Sequence, residues 1–340
     1  MLTETSNINR KEKDVWIFNK KSRPKPSQVY DTYWKFAAER QKIFFKRFYG
    51  ETYPWTEDDI LNQYKFTNVY RATDRVSQYL IKDVLYKGNQ EPNELFFRLI
   101  LFKIFNRIST WEYLKKKLGE ITYKEFSFRK YDKLLSRLLK QKHPIYSAAY
   151  IMASGKSVFG LERKHQNHLM LIEKMLNEDI PSKLQKCKTM GDAYHLLLSY
   201  PTIGEFLAYQ YATDINYSSL TDFREIEFVK AGPGAKDGIS KCFKDFGDYS
   251  FEDIIRMMTD NQETEFERLN LNFQSLGDRK LQLIDCQNIF CEVDKYSRIA
   301  HPKISGNSKR VRIKQGFTFQ QKAPIDFFFP PKWGINHLII

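Results

Sequence analysis

The chain is poor in cysteine and histidine for its length, and each shortage excludes something. Four cysteines, at positions 187, 242, 286 and 291, stand among 340 residues. No pair has CxxC spacing, and the 286/291 pair does not suit a zinc knuckle. Of six histidines, His165 and His168 share a helix face, but no obvious cysteine or carboxylate completes a ligand set. No metal and no cofactor are therefore expected, and the thiols read as reduced and intracellular. No apolar run approaches the ~18 residues of a membrane span. The opening "MLTETSNINRKEKDVW" lacks the apolar core of a secretory leader. The expectation is a soluble intracellular protein, cytoplasmic in a bacterium or phage-infected cell and nuclear in a eukaryote, with no membrane partner.

What the chain has in excess is positive charge and aromatic surface. Fifty-five lysines and arginines face 41 acids, a formal net charge of +14 with a pI near 9.3. An imbalance of that size points to a polyanion, and nucleic acid is the commonest one. Aromatics make up 15% of the residues, with 27 Phe and 20 Tyr, enough for a large core or for base stacking. A composition of 42% hydrophobic and 28% charged residues suits a globular protein.

Residues 1–28 are polar and basic, ending in "KKSRPKPSQ", and read as a flexible arm. Residues 29–300 form the body, and 301–340 a basic, then aromatic and proline-rich extension that wraps over the surface. Helical spacing of apolar residues recurs along the body. The first helix covers 30–50, with a basic face of Arg40, Lys42, Lys46 and Arg47. Thr56 before acids starts the next, expected to run through "FTNVYRATDRVSQYLIKDVLY". Further helices are expected at 92–107, 110–118, 129–141, 144–153, 162–177, 189–199, 204–216, 250–268 and 279–297. Strand signals are few: "REIEFVKAG" and part of 311–320. The class is mainly α.

Four stretches carry candidate chemistry. In "LLLSYPTIGEFLAYQYATD" (196–214) a Pro-x-x-Gly turn joins two apolar helices, and the hairpin extends to 216. Glycine lets a turn approach another backbone closely, and the amides opening the second helix favour an anion such as a DNA phosphate. That is the logic of helix-hairpin-helix DNA-binding elements, with Thr202 where their first glycine stands and Gly204 at the second. An ordinary helical corner fits equally. Asp214 ends the second helix, and Asp222 follows in "LTDFREIEF". Either could activate a nucleophile or stabilise charge at a sugar, or simply cap a turn.

The second stretch, "AGPGAKDGI", packs Gly232, Gly234, Lys236 and Gly238 into seven residues. It reads as a loop whose amides form an anion-binding nest. It is no Walker A motif. Nor is Gly155-Lys156-Ser157, because Tyr150 stands where the first P-loop glycine belongs and no apolar strand precedes it. The third is "LQLIDCQNIFCEVDKYSR", which places Asp285, Asn288 and Glu292 on one helix face with Lys295 close by. A polar stripe among apolar residues suggests a site lining, or a solvated salt-bridge face such as Asp294 with Arg298. In the fourth, "YKFTNVYRATDRVSQYL", Arg71 and Arg75 are four apart and are expected to point the same way, clamping phosphate or pairing with Asp74 and Glu57.

In the same order, "PWTEDDILNQYKFTNVYRATDR", "YPTIGEFLAYQYATDINYS", "AGPGAKDG" and "CQNIFCEVDKY" resemble the helical proteins of thymine hypermodification. These are the alpha-glutamyl/putrescinyl thymine pyrophosphorylases and the related helical domain of 5-hydroxymethyluracil DNA kinases. The resemblance covers roughly residues 30–300. It implies a helix-hairpin-helix, DNA-glycosylase-like architecture with few short strands. It implies a transferase that flips a modified pyrimidine in double-stranded DNA and displaces (pyro)phosphate from phosphorylated 5-hydroxymethyluracil with an amine. Pyrophosphate contacts would then fall to the 232–238 loop, Lys236, Arg71 and Arg75, with Asn288 and Lys295 nearby. Asp214 or Glu292 would be the general base, and the hairpin at Gly204 would hold the DNA backbone. A separate kinase would supply the phosphorylated base. Asp237 departs from the basic character of relatives at that loop. A glycosylase that excises a modified base and a non-catalytic DNA-binding module that supports a base kinase are the alternatives.

Overall fold

Apolar residues at helical spacing leave most segments one way to bury them, and the chain does so as packed helices. The structure is a computed structural model, and it describes residues 22–148, 152–154, 158–320 and 326–339. Most of the basic arm, the Gly155–Ser157 motif and residues 149–151 lie outside the described residues. The class is mainly α. The described strands are Lys25–Pro26 and Phe243–Asp245, paired antiparallel in one small sheet. Among the described residues no helix is long and apolar enough to cross a membrane.

The helix Pro92–Phe105 runs through the core. Its sequence "PNELFFRLILFKIF" is apolar on all sides, the pattern of a helix with no solvent face. Around it lie Lys164–Asn177, Ile180–Lys186 and the hairpin helix Glu205–Asn216. A second packed group joins Val29–Phe48, Pro233–Cys242, Phe251–Asp260 and the long helix Leu283–Ala300.

Pro233–Cys242 packs tightly against Leu283–Ala300, and this contact explains the glycines of "AGPGAKDG". These residues are not a nest loop. Gly232 is the N-cap and Pro233 the first residue of a helix. Gly234 and Gly238, one turn apart, face the long helix. A Cβ on Gly238 would sit 2.0 Å from the Phe290 carbonyl oxygen, and one on Gly234 3.1 Å from Cys291 Sγ. The glycines are there so that two helix backbones can touch. Buried Lys241 crosses the same seam to Asp294 at 2.9 Å, and Asp237 accepts the Ser308 amide at 2.8 Å.

Other expected elements are redrawn. The helix after Thr56 is broken: Asp59–Gln63, a 3-10 turn at Arg71–Thr73, then Arg75–Tyr79 and a wider turn at Leu80–Leu85. No helix forms over 144–148 or 152–154, and "REIEFVKAG" forms no strand. Arg40 leaves the basic face of the first helix; it is buried, with Nε 3.0 Å from the Thr67 carbonyl oxygen. Described residues of the C-terminal segment touch the body at three places. Tyr64 bridges Gly316, Phe329 is buried, and Arg279 stacks on the Trp333 ring at 3.8 Å.

Candidate functional site

Asp214 sits near the end of the hairpin helix with no exposed surface. Arg71 Nη1 lies 2.8 Å from one carboxylate oxygen and Lys103 Nζ 3.0 Å from the other. Both cations are themselves almost wholly buried. Burial alone would raise the Asp214 pKa, but the two cations overcome it and hold the carboxyl below its ordinary value. Lys103 moves the other way for a cation: desolvation lowers its pKa against the pull of Asp214, and Arg71 adds to the lowering. Arg71 is fixed from several sides. Its Nε reaches Gln210 Oε1 at 3.2 Å, its guanidinium lies 5.5 Å from the Tyr217 ring, and its backbone amide donates to Asp285 at 2.8 Å.

Lys103 was invisible to motif reasoning, yet it had a signal. It is the one lysine inside "FFRLILFKIF", and an ammonium within a buried helix needs a carboxylate.

The stripe on Leu283–Ala300 is a clamp. Asp285 accepts the Arg71 amide, and Glu292 accepts the Thr67 amide at 3.1 Å while pairing with Lys295 at 2.6 Å. The irregular segment 64–74 has lost its helical hydrogen bonds, and these carboxylates, with Asp74 accepting the Asn68 amide at 2.8 Å, replace them. This break also separates the two arginines. Arg71 turns inward and Arg75, after the extended Asp74, points to solvent. They do not face the same way.

Desolvation lifts Asp285 to about 6 and Asp74 to about 7, in each case against the amides that donate to them. An unfolded aspartate titrates near ~3.9. Between these values the native protein holds protons that the unfolded chain has released. Buried His168, whose pKa desolvation lowers to about 3, pulls the other way, but the stability that these two aspartates contribute is lost as pH rises from about 4 through 7. Asp214 acts with the opposite sign, because its contribution is lost only as pH falls through its depressed pKa. The difference in thermal midpoint between the parent and Asp285→Asn should therefore change with pH, favouring the parent more near pH ~5 than near pH ~8. A difference that stays constant with pH would refute the assignment.

The hairpin turn is strained at Thr202. Thr202 adopts φ +68°, a left-handed conformation that is rare for a β-branched residue, and its buried Oγ1 has no hydrogen-bond partner among the described residues. Gly204 is the exposed N-cap, with open space where a Cβ would stand. Glu205 occupies the first turn, where an anion is favoured, and lies 3.8 Å from Lys230. Asp222 is 85% exposed and 3.6 Å from Lys332, well apart in character from buried Asp214. Lys236 lies 5.7 Å from the Phe251 ring, and Asn288 accepts from Gln287 at 3.1 Å. A groove of about 790 Å³ lies elsewhere, along the outer face of Val29–Phe48, lined by Lys35, Lys42, Lys46, Tyr296 and His301 among others.

The site thus gathers Arg71, Lys103, Gln210, Asp214 and Asp285 around the end of the hairpin helix, with Asn288, Glu292 and Lys295 further along the long helix. Residues 27–306 match the family model described as "5-hmdU DNA kinase, helical domain". The chain belongs to this family. A curated relative, a 5-hmdU DNA kinase of Bacillus phage SP10, is 28% identical over 286 residues. That match takes in 79% of this chain and 45% of the relative, so less than half of the relative has a counterpart here. No solved structure matches the chain. All four motif stretches fall inside the family's helical domain, and the clamped segment, the hairpin helix and the glycine-bearing helix are its parts. Most of the C-terminal segment lies beyond it.

Proposed function

We propose that this chain acts in DNA base hypermodification, on 5-hydroxymethyluracil-type bases in duplex DNA. In this reading it is a transferase that displaces (pyro)phosphate from a phosphorylated base with an amine. A separate kinase supplies that base. The observation that carries the reading is the family match over 27–306, which takes in the whole buried charge cluster. A net charge of +14 suits a DNA substrate.

Within that reading the geometry favours a division of labour. Asp214 is the counter-ion that sets Arg71 and Lys103 side by side in the core, and this buried triad holds the clamped segment, the core helix and the hairpin helix in the arrangement that presents the site. Glu292 is the better candidate for general base. Its side chain is 13% exposed, whereas that of Asp214 is 1% exposed and tied to two cations. A glycosylase-like architecture with base flipping would bring the base to this cluster.

A second reading, a non-catalytic DNA-binding module beside a base kinase, draws support from one fact. The carboxylates of the cluster are already engaged: Asp214 by two cations, Glu292 by Lys295 and the Thr67 amide. Mass spectrometry separates the readings. DNA bearing pyrophosphorylated 5-hydroxymethyluracil is incubated with the protein and a mixture of amines, then digested to nucleosides. A new nucleoside heavier by one amine, lost in Glu292→Gln, is the expected result. A released free base would establish a glycosylase instead. Unchanged DNA despite tight binding would leave the module reading.

A further inference from the structure

Half of the chain's net positive charge lies in a short segment that the site does not use. Between Arg107 and Lys142 stand eleven lysines and arginines against four acids, a surplus of seven in a chain whose net charge is +14. The segment folds as two consecutive helices, Ile108–Leu118 and Phe128–Lys140. Each buries a narrow apolar face: Trp111 and Leu114 in the first, Tyr131, Leu135 and Leu138 in the second. The first packs on the core helix through Trp111 against Phe102. In the loop between them the Tyr123 amide donates to Glu94 of that same helix at 2.5 Å. Their outer faces hold Lys115, Lys116 and Lys117, and Lys133, Arg137 and Lys140, all exposed.

The acids do not neutralise these cations. Asp132 lies 2.8 Å from the His165 ring and accepts from Gln166, and Glu112 accepts the Tyr79 hydroxyl. Among the described residues, none of the six exposed cations is in an ion pair. Helix-end electrostatics does not account for the arrangement. Lysines in a last turn complement the macrodipole, but Phe128–Lys140 also opens on Arg129 and Lys130, with no acid in its first turn. Like charges one turn apart destabilise a helix by roughly 0.2–0.5 kcal/mol per pair. A surface that keeps them uncompensated is built for an external polyanion.

We infer that the outer faces of Ile108–Leu118 and Phe128–Lys140 form a second DNA contact, a strip of cations that lies along the phosphate backbone of a duplex and is separate from the hairpin turn at Gly204. The inference rests on the DNA reading above and adds the surface that carries much of the affinity. Contacts of this kind position a protein without reading sequence. The hairpin and the charge cluster would then act on a duplex already held in register.

The test is fluorescence anisotropy with a short labelled duplex over a series of salt concentrations. It compares the full chain with Lys115→Ser/Lys116→Ser/Lys117→Ser, with Lys133→Ser/Arg137→Ser/Lys140→Ser, and with a control triple, Lys183→Ser/Lys186→Ser/Lys188→Ser. All nine positions are exposed, and unchanged thermal midpoints identify folded variants. Each phosphate contact contributes about 0.9 to the slope of log affinity against log salt. Each helix variant should therefore lose about 2 to 3 units of slope and bind at least ~10-fold more weakly, while the control changes little. If the control loses as much as the helix variants, overall charge alone is at work and the strip has no special role. If the helix variants keep the parent slope, the strip is not a DNA surface. A parent chain that shows no salt-dependent binding would instead sink the DNA reading itself.

Discussion

Asp214→Asn is expected to destabilise the protein by about 3–5 kcal/mol, the usual cost of removing one partner from a buried ion pair. The asparagine fills the same space, so packing is preserved and only the charge is lost. Arg71 and Lys103 are then left in the core without the carboxylate that lies 2.8 and 3.0 Å from them. Denaturant titration should show the midpoint falling with an unchanged slope. Adding Lys103→Met should restore part of the loss, because a core can replace an ion pair with well-packed apolar atoms at little net cost. A loss below ~1 kcal/mol would mean that Asp214 is not the counter-ion of these two cations. The same variant warns against reading activity alone: lost turnover by Asp214→Asn would reflect the collapse of Arg71's position as readily as a missing base.

Gly238→Ala is expected to be as damaging, for a different reason. The new methyl group would stand 2.0 Å from the Phe290 carbonyl oxygen and 2.7 Å from its carbon. These are backbone atoms of a long helix, and no side-chain rotation relieves the overlap. Pro233–Cys242 and Leu283–Ala300 must separate, and Lys241 must move from Asp294 with them. Overpacking in a core costs roughly 1–3 kcal/mol, and a backbone clash belongs at or above the top of that range. Gly234→Ala is the internal control. Its nearest neighbour is Cys291 Sγ at 3.1 Å, a side chain that can turn aside. Denaturation midpoints should therefore rank parent, Gly234→Ala, Gly238→Ala from most to least stable. Equal effects of the two alanines would mean that the helices do not approach as closely as described. Loss of stability in Gly238→Ala would also identify the "AGPGAKDG" glycines as packing residues, whatever anion their helix also meets.

The two readings that went furthest astray share a cause. "AGPGAKDGI" was expected to be a loop because glycine and proline break helices in the middle. Here Pro233 sits at the first helical position, where it is tolerated, and the glycines fill a contact with a helix some fifty residues away in sequence. Likewise the four-residue spacing of Arg71 and Arg75 implies a shared direction only if a helix spans both. The chain between them instead makes a 3-10 turn and then extends at Asp74, while Asp285 and Glu292 of a distant helix hold the Arg71 and Thr67 amides that open the segment. The polar stripe at Asp285, Asn288 and Glu292 was legible as a stripe, but its main occupant is the protein's own backbone.

Local pattern settled what local physics controls. The mainly α class follows from apolar spacing, and most helices of the body stand close to where that spacing puts them. The motif order that resembles thymine-hypermodification proteins was readable residue by residue and agrees with the family match. The turn at Thr202–Gly204 was legible too, because Pro201 fixes its own φ and Gly204 tolerates conformations that a Cβ would forbid. Tertiary structure alone decided which charges meet. Arg71, Lys103 and Asp214 come from three separate helical segments, and no spacing in the sequence relates them. Charge pairing in a core is set by which helices pack together, since the low-dielectric interior forces each buried ion to find its partner across that packing.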